Sequence, residues 1–343
     1  MNNNGIIDGV YIEEEPNGNK HNVCNKRIIY YYQTFADLTP MLQLSPQPLT
    51  HIILAAIHFG KDATTQQPYI HLNDLEPDDP QFDNVWSQLR LANNVHGINI
   101  RVMIGGAGGA YGELFSNYGI YYKMLVDLLT IGPAAGLVSG VDLDVEEPTE
   151  LENIRKLIRD LHKDLPDLKF TMAPVAGALY DKDGRGMGGF SYIDLLETDE
   201  GRLIEWFNGQ FYYGDFDVEH FDMSCNNLYG LVGSDQIVMG TEVGQWAPND
   251  WDKCYSIIKD VKDKYDDMGG VFFWEYYIRP DNWETNVYNA LYPSAISYTT
   301  NMDSDNMDSD NMDSDKMDSD NMDSDKMDSD NMYIGNYYRC VVM

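Results

Sequence analysis

Leu137-Val138-Ser139-Gly140-Val141-Asp142-Leu143-Asp144-Val145-Glu146-Glu147-Pro148 alternates aliphatic and acidic residues from Val141 to Glu146 without a slip. Successive side chains of a β-strand point to opposite faces, so Asp142, Asp144 and Glu146 share one face and Val141, Leu143 and Val145 the other. Residues two apart on a strand sit about 6.6 Å from each other, which holds three carboxyls in a row with no basic residue between them. They cannot all ionise without mutual repulsion. A solvated strand face and a carboxylate cage for a hard cation are the alternatives to a catalytic row. The first conflicts with length, because a chain of 343 residues buries its central strands on both faces, where a row of acids makes an expensive core. The second is weaker, because nothing nearby resembles a Ca²⁺ loop with its glycine.

Outward from this stretch, β-rich and helical patterns alternate. Arg27–Gln33 and His51–Phe59 read as the first two strands, the second almost continuously apolar, as in parallel sheets covered on both faces. Phe82, Val85, Trp86, Leu89 and Leu91 keep helical spacing up to Gly97, and Ile98–Ile104 forms the third strand, closed by Gly105-Gly106-Ala107-Gly108-Gly109. That glycine cluster lacks the spacing and following helix of a dinucleotide loop and reads as close backbone approach at a strand mouth. A helix over Gly112–Ile131 leads into the acidic strand, and Leu151, Ile154, Leu157, Ile158, Leu161 and Leu165 mark the next helix. Leu168–Pro174, Gly209–Tyr213, Gln236–Thr241 and Gly270–Glu275 read as the fifth to eighth strands. Helices near Tyr192–Phe207, Asp222–Leu231, Asp250–Tyr265 and Trp283–Leu291 fall between or after them. Eight βα units over Arg27–Leu291 predict an α/β fold, a (β/α)8 TIM barrel, for which about 250 residues is typical. Active sites of such barrels lie at the carboxyl ends of the strands, and Glu146 falls at the end of the fourth.

Residues 27–292 thus read as one catalytic domain. The polar stretch 1–26 reads as a poorly ordered leader, without the basic and apolar segments of a signal peptide. This predicts synthesis in the cytosol, with release by lysis or an unconventional route if the target lies outside. Residues 293–332 hold six copies of Asn/Lys-Met-Asp-Ser-Asp, too polar and too uniformly charged to offset the entropy of ordering, and 333–343 is a short aromatic and aliphatic tail. The pentads carry 12 of 56 acids and 2 of 23 bases, leaving 44 acids against 21 bases, so the rest of the chain is acidic in its own right. A net charge of −33 argues against nucleic acid or an anionic membrane as a partner. No partner for the acidic tail is legible. The four cysteines, Cys24, Cys225, Cys254 and Cys340, lack metal-site spacing and read as free thiols, and no metal or other cofactor is expected.

With the acids at a barrel strand end, Ser139–Glu146 resembles the D-G-x-D-x-D-x-E motif of family 18 glycoside hydrolases, the chitinase family, and most of all its fungal-type chitinases. Ile104-Gly105-Gly106, Met172-Ala173-Pro174, Gln210-Phe211-Tyr212 and Trp274 resemble that family's elements on the third, fifth, sixth and eighth strands, in the right order. The resemblance implies endo-hydrolysis of chitin or N-acetylglucosamine oligosaccharides at β-1,4 linkages, by a retaining mechanism in which the substrate's acetamide is the nucleophile. Glu146 would be the proton donor, Asp144 the acetamide partner, Asp142 a tuning acid sharing a proton with Asp144, and Tyr212 the donor to the acetamide oxygen. Trp274 would floor the sugar site, with Gln210, Met172 and Gly106 around it. Tyr31 and Phe59 are expected near the cleft, while Trp246, Trp251 and Trp283 are expected to stack on sugars or to pack. Ser139, Met103 and Tyr213 depart from the family's usual Asp, Ser and Asn, and none of them is the acid. The alternatives are an endo-β-N-acetylglucosaminidase acting on the N-glycan chitobiose core and a non-hydrolytic lectin-like protein. Retention of Glu146 argues against the last.

Overall fold

Nine strands form the frame of this computed structural model, which describes residues 26–246 and 250–293. They are β1 (Arg27–Tyr32), β2 (His51–Lys61), β3 (Pro68–Leu72), β4 (Asn99–Gly105), β5 (Val138–Asp144), β6 (Lys169–Met172), β7 (Ile204–Gln210), β8 (Ile237–Glu242) and β9 (Gly270–Trp274). The order β1-β9-β8-β7-β6-β5-β4-β2 closes by pairing of β1 with β2, and all eight are parallel. The fold is a (β/α)8 TIM barrel. The expected leader, pentad segment and closing tail lie outside the described residues but for Lys26 and Pro293, as do Cys24 and Cys340; Cys225 and Cys254 are free. Among the described residues no helix is long and apolar enough to cross a membrane.

Strand alternation separates two cores. Ile29, Tyr31, Ile53, Ala55, Met103, Trp206, Val238 and Phe272 fill the barrel interior, while their neighbours Ile28, Tyr30, Leu54, Val102, Phe207, Met239 and Phe273 meet the helices outside. The helix Leu151–Asp164 buries Ile154, Leu157, Ile158 and Leu161 against that outer face, each burial stabilising by about 1.5–3 kcal/mol. The last helix, Trp283–Leu291, is tied to the first strand by the buried Tyr30 hydroxyl, which donates to Glu284 Oε2 at 2.7 Å. Inside, Trp206 lies between the Arg27 and Arg101 guanidinium groups, 4.1 and 3.9 Å from its ring centroid. Arg101 is paired with Glu205, which allows a guanidinium to be buried there.

Three sequence expectations change. The sixth barrel strand is Ile204–Gln210 rather than Gly209–Tyr213, and the helix before it stops at Leu196 instead of running to Phe207. Gly201 turns the chain there so tightly that a Cβ would stand 2.1 Å from the Leu195 carbonyl oxygen. The helix expected over Gly112–Ile131 is two, Tyr111–Ser116 and Tyr118–Thr130, broken at Asn117. β3 was not legible: it pairs antiparallel to the far end of β2, with His71 opposite His58 and Tyr69 opposite Gly60, extending the barrel wall into a hairpin.

Candidate active site

The acidic row sits at the carboxyl end of β5, and an amide row on β7 answers it. Because β7 alternates in the same way as β5, Trp206, Asn208 and Gln210 point inward at successive levels. Asn208 Nδ2 donates to Asp142 Oδ1 at 3.0 Å, and Gln210 Nε2 donates to Asp144 Oδ1 at 3.1 Å and Glu146 Oε1 at 3.3 Å. A further bond from Gln210 Nε2 to the Ala173 carbonyl, 2.9 Å, fixes the amide that joins the two acids. Tyr31 on β1 donates to Asp142 Oδ2 at 2.7 Å. Asp142 and Asp144 are buried, and Glu146 is half-buried, two residues beyond the last ladder residue of β5.

Beside the proton sharing expected between Asp142 and Asp144 stands a second link: Asp142 accepts from Tyr31 and Asn208, one on each oxygen, while the Gln210 amide joins Asp144 to Glu146. Burial raises the Asp142 carboxyl above its ordinary range, opposed by the donors Thr171, Tyr31 and Asn208 and by the Arg101 charge. Asp144 is driven well above its range by burial first and then by Glu146 and Asp142. Burial also raises Glu146, with Gln210 opposing. Such a pair holds a proton at a pH where an exposed carboxyl has lost it, and so can give and recover one.

The glycines after β4 allow this packing. Gly106, at φ +89°, donates its N–H to the Asp144 carbonyl at 2.9 Å, and a Cβ there would lie 2.6 Å from Met103 Cε and 3.4 Å from Asp144 Oδ2. Glu147 Oε1 accepts from the backbone N–H groups of Ala110, Tyr111 and Gly112 and ties the loop after β5 to the loop after β4. Tyr212 stands just past β7, edge-on to Phe272 at 6.2 Å, its hydroxyl pushed well up by burial and then by Asp144, Glu242 and Glu146. Trp274 closes β9 beside Tyr31, with ring centroids 5.4 Å apart.

Solved structures with known activities share this architecture. A fungal endo-β-N-acetylglucosaminidase from glycosyl hydrolase family 18 matches with a TM-score of 0.66 at 29% identity, over 78% of this chain and 99% of that one. A chitinase from Aspergillus fumigatus matches with a TM-score of 0.64 at 28% identity, over 74% of this chain and 93% of that one. The chain is thus similar, in fold and in sequence, to glycoside hydrolases of family 18. The C-terminal domain of ChiA from Legionella pneumophila, at 15% identity and a TM-score of 0.56, shares the fold. No family model and no curated relative matches the sequence.

Like these neighbours, the protein is a glycosidase. Its barrel brings Asp142, Asp144, Glu146, Gln210, Tyr31, Tyr212, Trp274 and Gly106 to one mouth, and leaves out two residues expected there. Phe59 is buried on the outer face against Tyr121, ring centroids 5.5 Å apart, because a bulge between Leu54 and Ile57 shifts the alternation of β2. Met172 is buried in the outer core, paired in register with Leu143 and Phe207. Trp246, Trp251 and Trp283 pack in the outer core around Phe273, the first donating to Thr241 Oγ1 at 2.5 Å. Asn208, Glu147 and Glu242 were missed. Asn208 faces inward because the register of β7 shifts between Ile204, in the outer core, and Trp206, inside the barrel, and Glu242 is paired in register with Trp274. Burial raises the Glu242 carboxyl, opposed by a hydrogen bond from Tyr213.

Proposed function

We propose that this glycosidase cleaves the β-1,4 bond between two N-acetylglucosamine residues of chitin or its oligomers, acting within the chain with retention of configuration. The observation that carries the reading is the Gln210 amide, whose one nitrogen donates to both Asp144 and Glu146 and so holds them side by side. Glu146 gives its proton to the glycosidic oxygen while the 2-acetamido carbonyl oxygen of the sugar attacks the anomeric carbon, forming an oxazolinium ion as the C–O bond breaks. Asp144 accepts the acetamide N–H and offsets the positive charge that develops. Tyr212 donates to the acetamide oxygen, and Trp274 lies beneath the sugar. Glu146, now ionised, takes a proton from water as it opens the oxazolinium ring, which returns the acid to its starting state. A substrate nucleophile is an exception to the usual pair of enzyme carboxylates. Asp142 and Tyr31 hold the base of this arrangement.

The endo-β-N-acetylglucosaminidase at 29% identity favours a second reading, the same bond in the chitobiose core of N-glycans. Incubation with N-acetylglucosamine tetramers to hexamers, in parallel with a high-mannose glycopeptide, separates the two. Shorter N-acetylglucosamine oligomers are the expected products. Cleavage of the glycopeptide alone would overturn the chitin reading and leave the chemistry in place.

A further inference from the structure

Beneath the acidic row, the barrel interior holds a column of contacts that the proposed chemistry does not use. It begins at a bulge: Phe170 is in register with Ile204 but Thr171 with Trp206, so Glu205 is an extra residue in β7. The bulge sets Trp206 inside the barrel, with the Arg101 guanidinium 3.9 Å from its ring centroid and Arg101 itself paired with Glu205. The His51 ring meets the same indole at 5.0 Å and 72°. Held in this way, Trp206 Nε1 donates to Asn208 Oδ1 at 2.9 Å, and Asn208 Nδ2 donates to Asp142 Oδ1 at 3.0 Å. Trp206, Asn208 and Asp142 are all buried.

The column has a direction. An indole N–H can only donate, so it meets the oxygen of the Asn208 amide and leaves the NH2 group facing Asp142. That group can only donate in turn, and an ionised carboxyl can only accept, so the contact suits a charged Asp142. Met103, in register with Asp142 on β4, offers no donor. Charge acts the same way. The titratable groups facing Asp142 are Tyr31 on β1, Arg101 on β4, Asp144 on β5, and Tyr111 and Tyr192 beyond the strand ends. Burial first and then nearby acids push the three tyrosines up, so they stay neutral. Around Trp206, His51 is driven well down by burial and then by Arg101 and Arg27, while Lys169 lies 3.8 Å from Glu205. Among the described residues Arg101 is thus the cation acting on Asp142, from the neighbouring strand two levels below, and its buried Nε and Nη1 have no hydrogen-bond partner.

We propose that Trp206 is a positioning residue for the proposed reaction: through Asn208 its indole N–H holds Asp142 as an ionised acceptor, which leaves the proton of the row to Asp144 and Glu146. The inference rests on the proposed chemistry and holds for either of its two substrates. An ionised Asp142 also repels charge on Asp144, so the pair above it keeps its proton to a higher pH.

The test replaces Trp206 by benzothienylalanine, which has the same shape with sulfur in place of the N–H, and by phenylalanine, Trp206→Phe, alone and combined with Asn208→Leu. Loss of the N–H lets the Asn208 amide turn its oxygen toward Asp142, which then takes a proton, and the negative charge beneath Asp144 is lost. The alkaline limb of kcat/KM, read on the N-acetylglucosamine hexamer or the glycopeptide according to which the parent cuts, should move down by about one pH unit. Asn208→Leu should move it the same way, and adding Trp206→Phe should shift it no further, because Trp206 acts through Asn208. A limb that stays in place in the benzothienylalanine protein, or shifts that add in the double variant, would overturn the inference and leave the proposed function standing. A parent that cuts neither substrate would overturn both.

Discussion

Glu146→Gln should lower turnover of N-acetylglucosamine oligomers by about 10³-fold, within the range for loss of a general acid, and leave their affinity within a few-fold of the parent. The amide keeps the size of the carboxyl and can still meet Gln210, which is 3.3 Å from Glu146 Oε1. It has no acidic proton for the leaving oxygen and cannot take one from water, so both halves of the reaction fail while the cleft retains its shape. Calorimetric titration with the hexamer, read with a reducing-end assay, separates the two quantities. Full activity in this variant would remove Glu146 from its role. The pH profile of the parent follows from the same geometry: burial raises the Glu146 carboxyl, so activity should persist above the ordinary glutamate range and fall as pH rises through the raised value.

Asp144→Asn should separate function from stability. Turnover should fall about 10²–10³-fold, because asparagine carries no charge to offset the oxazolinium ion. Stability should rise. The Asp144 carboxyl is held well above its ordinary range by burial and by its acidic neighbours. A folded-state value above the unfolded one means that the folded protein binds the proton more tightly, so its stability is greatest below the unfolded value and is lost as pH rises through the folded one. Each pH unit of that gap removes about 1.4 kcal/mol of stability at neutral pH. Asparagine removes the linkage and still accepts from Gln210 Nε2. Thermal unfolding should show the variant more stable at pH 8, by about 2–4 °C per kcal/mol, with the difference shrinking toward pH 4. A lower Tm for the variant at pH 8 would show that Asp144 stabilises the fold rather than straining it.

How much of this was legible in the sequence depends on which face of a strand a residue occupies. The acidic row was readable because the register shift of β5 against β4, at Ser139, falls before Val141, so strict alternation of Val141–Glu146 carries through to the structure. Alternation misled in β2, where the irregularity between Leu54 and Ile57 exchanged Phe59 for His58 on the inner face. It was also lost in β7, since Tyr192, Leu195, Leu196, Leu203 and Phe207 look helical as a string while Gly201 has already ended that helix. The cost was Asn208, which donates to Asp142 one level below the Gln210 amide that joins Asp144 to Glu146. Met172 shows the reverse limit. Its motif is in place, yet the register of β6 turns its side chain into the outer core. The β2–β3 hairpin is formed by pairing across the turn at residues 62–67, and nothing in Pro68–Leu72 alone indicates that its rings would align with His58.

The most direct measurement of the central claim, that the substrate's own acetamide is the nucleophile held by Asp144 and served by Glu146, compares an N-acetylglucosamine hexamer with its fully deacetylated counterpart, following the anomer first released by NMR. The account predicts cleavage of the acetylated chain alone, with the β-anomer appearing first. Comparable cleavage of the deacetylated chain, or the α-anomer appearing first, would contradict it.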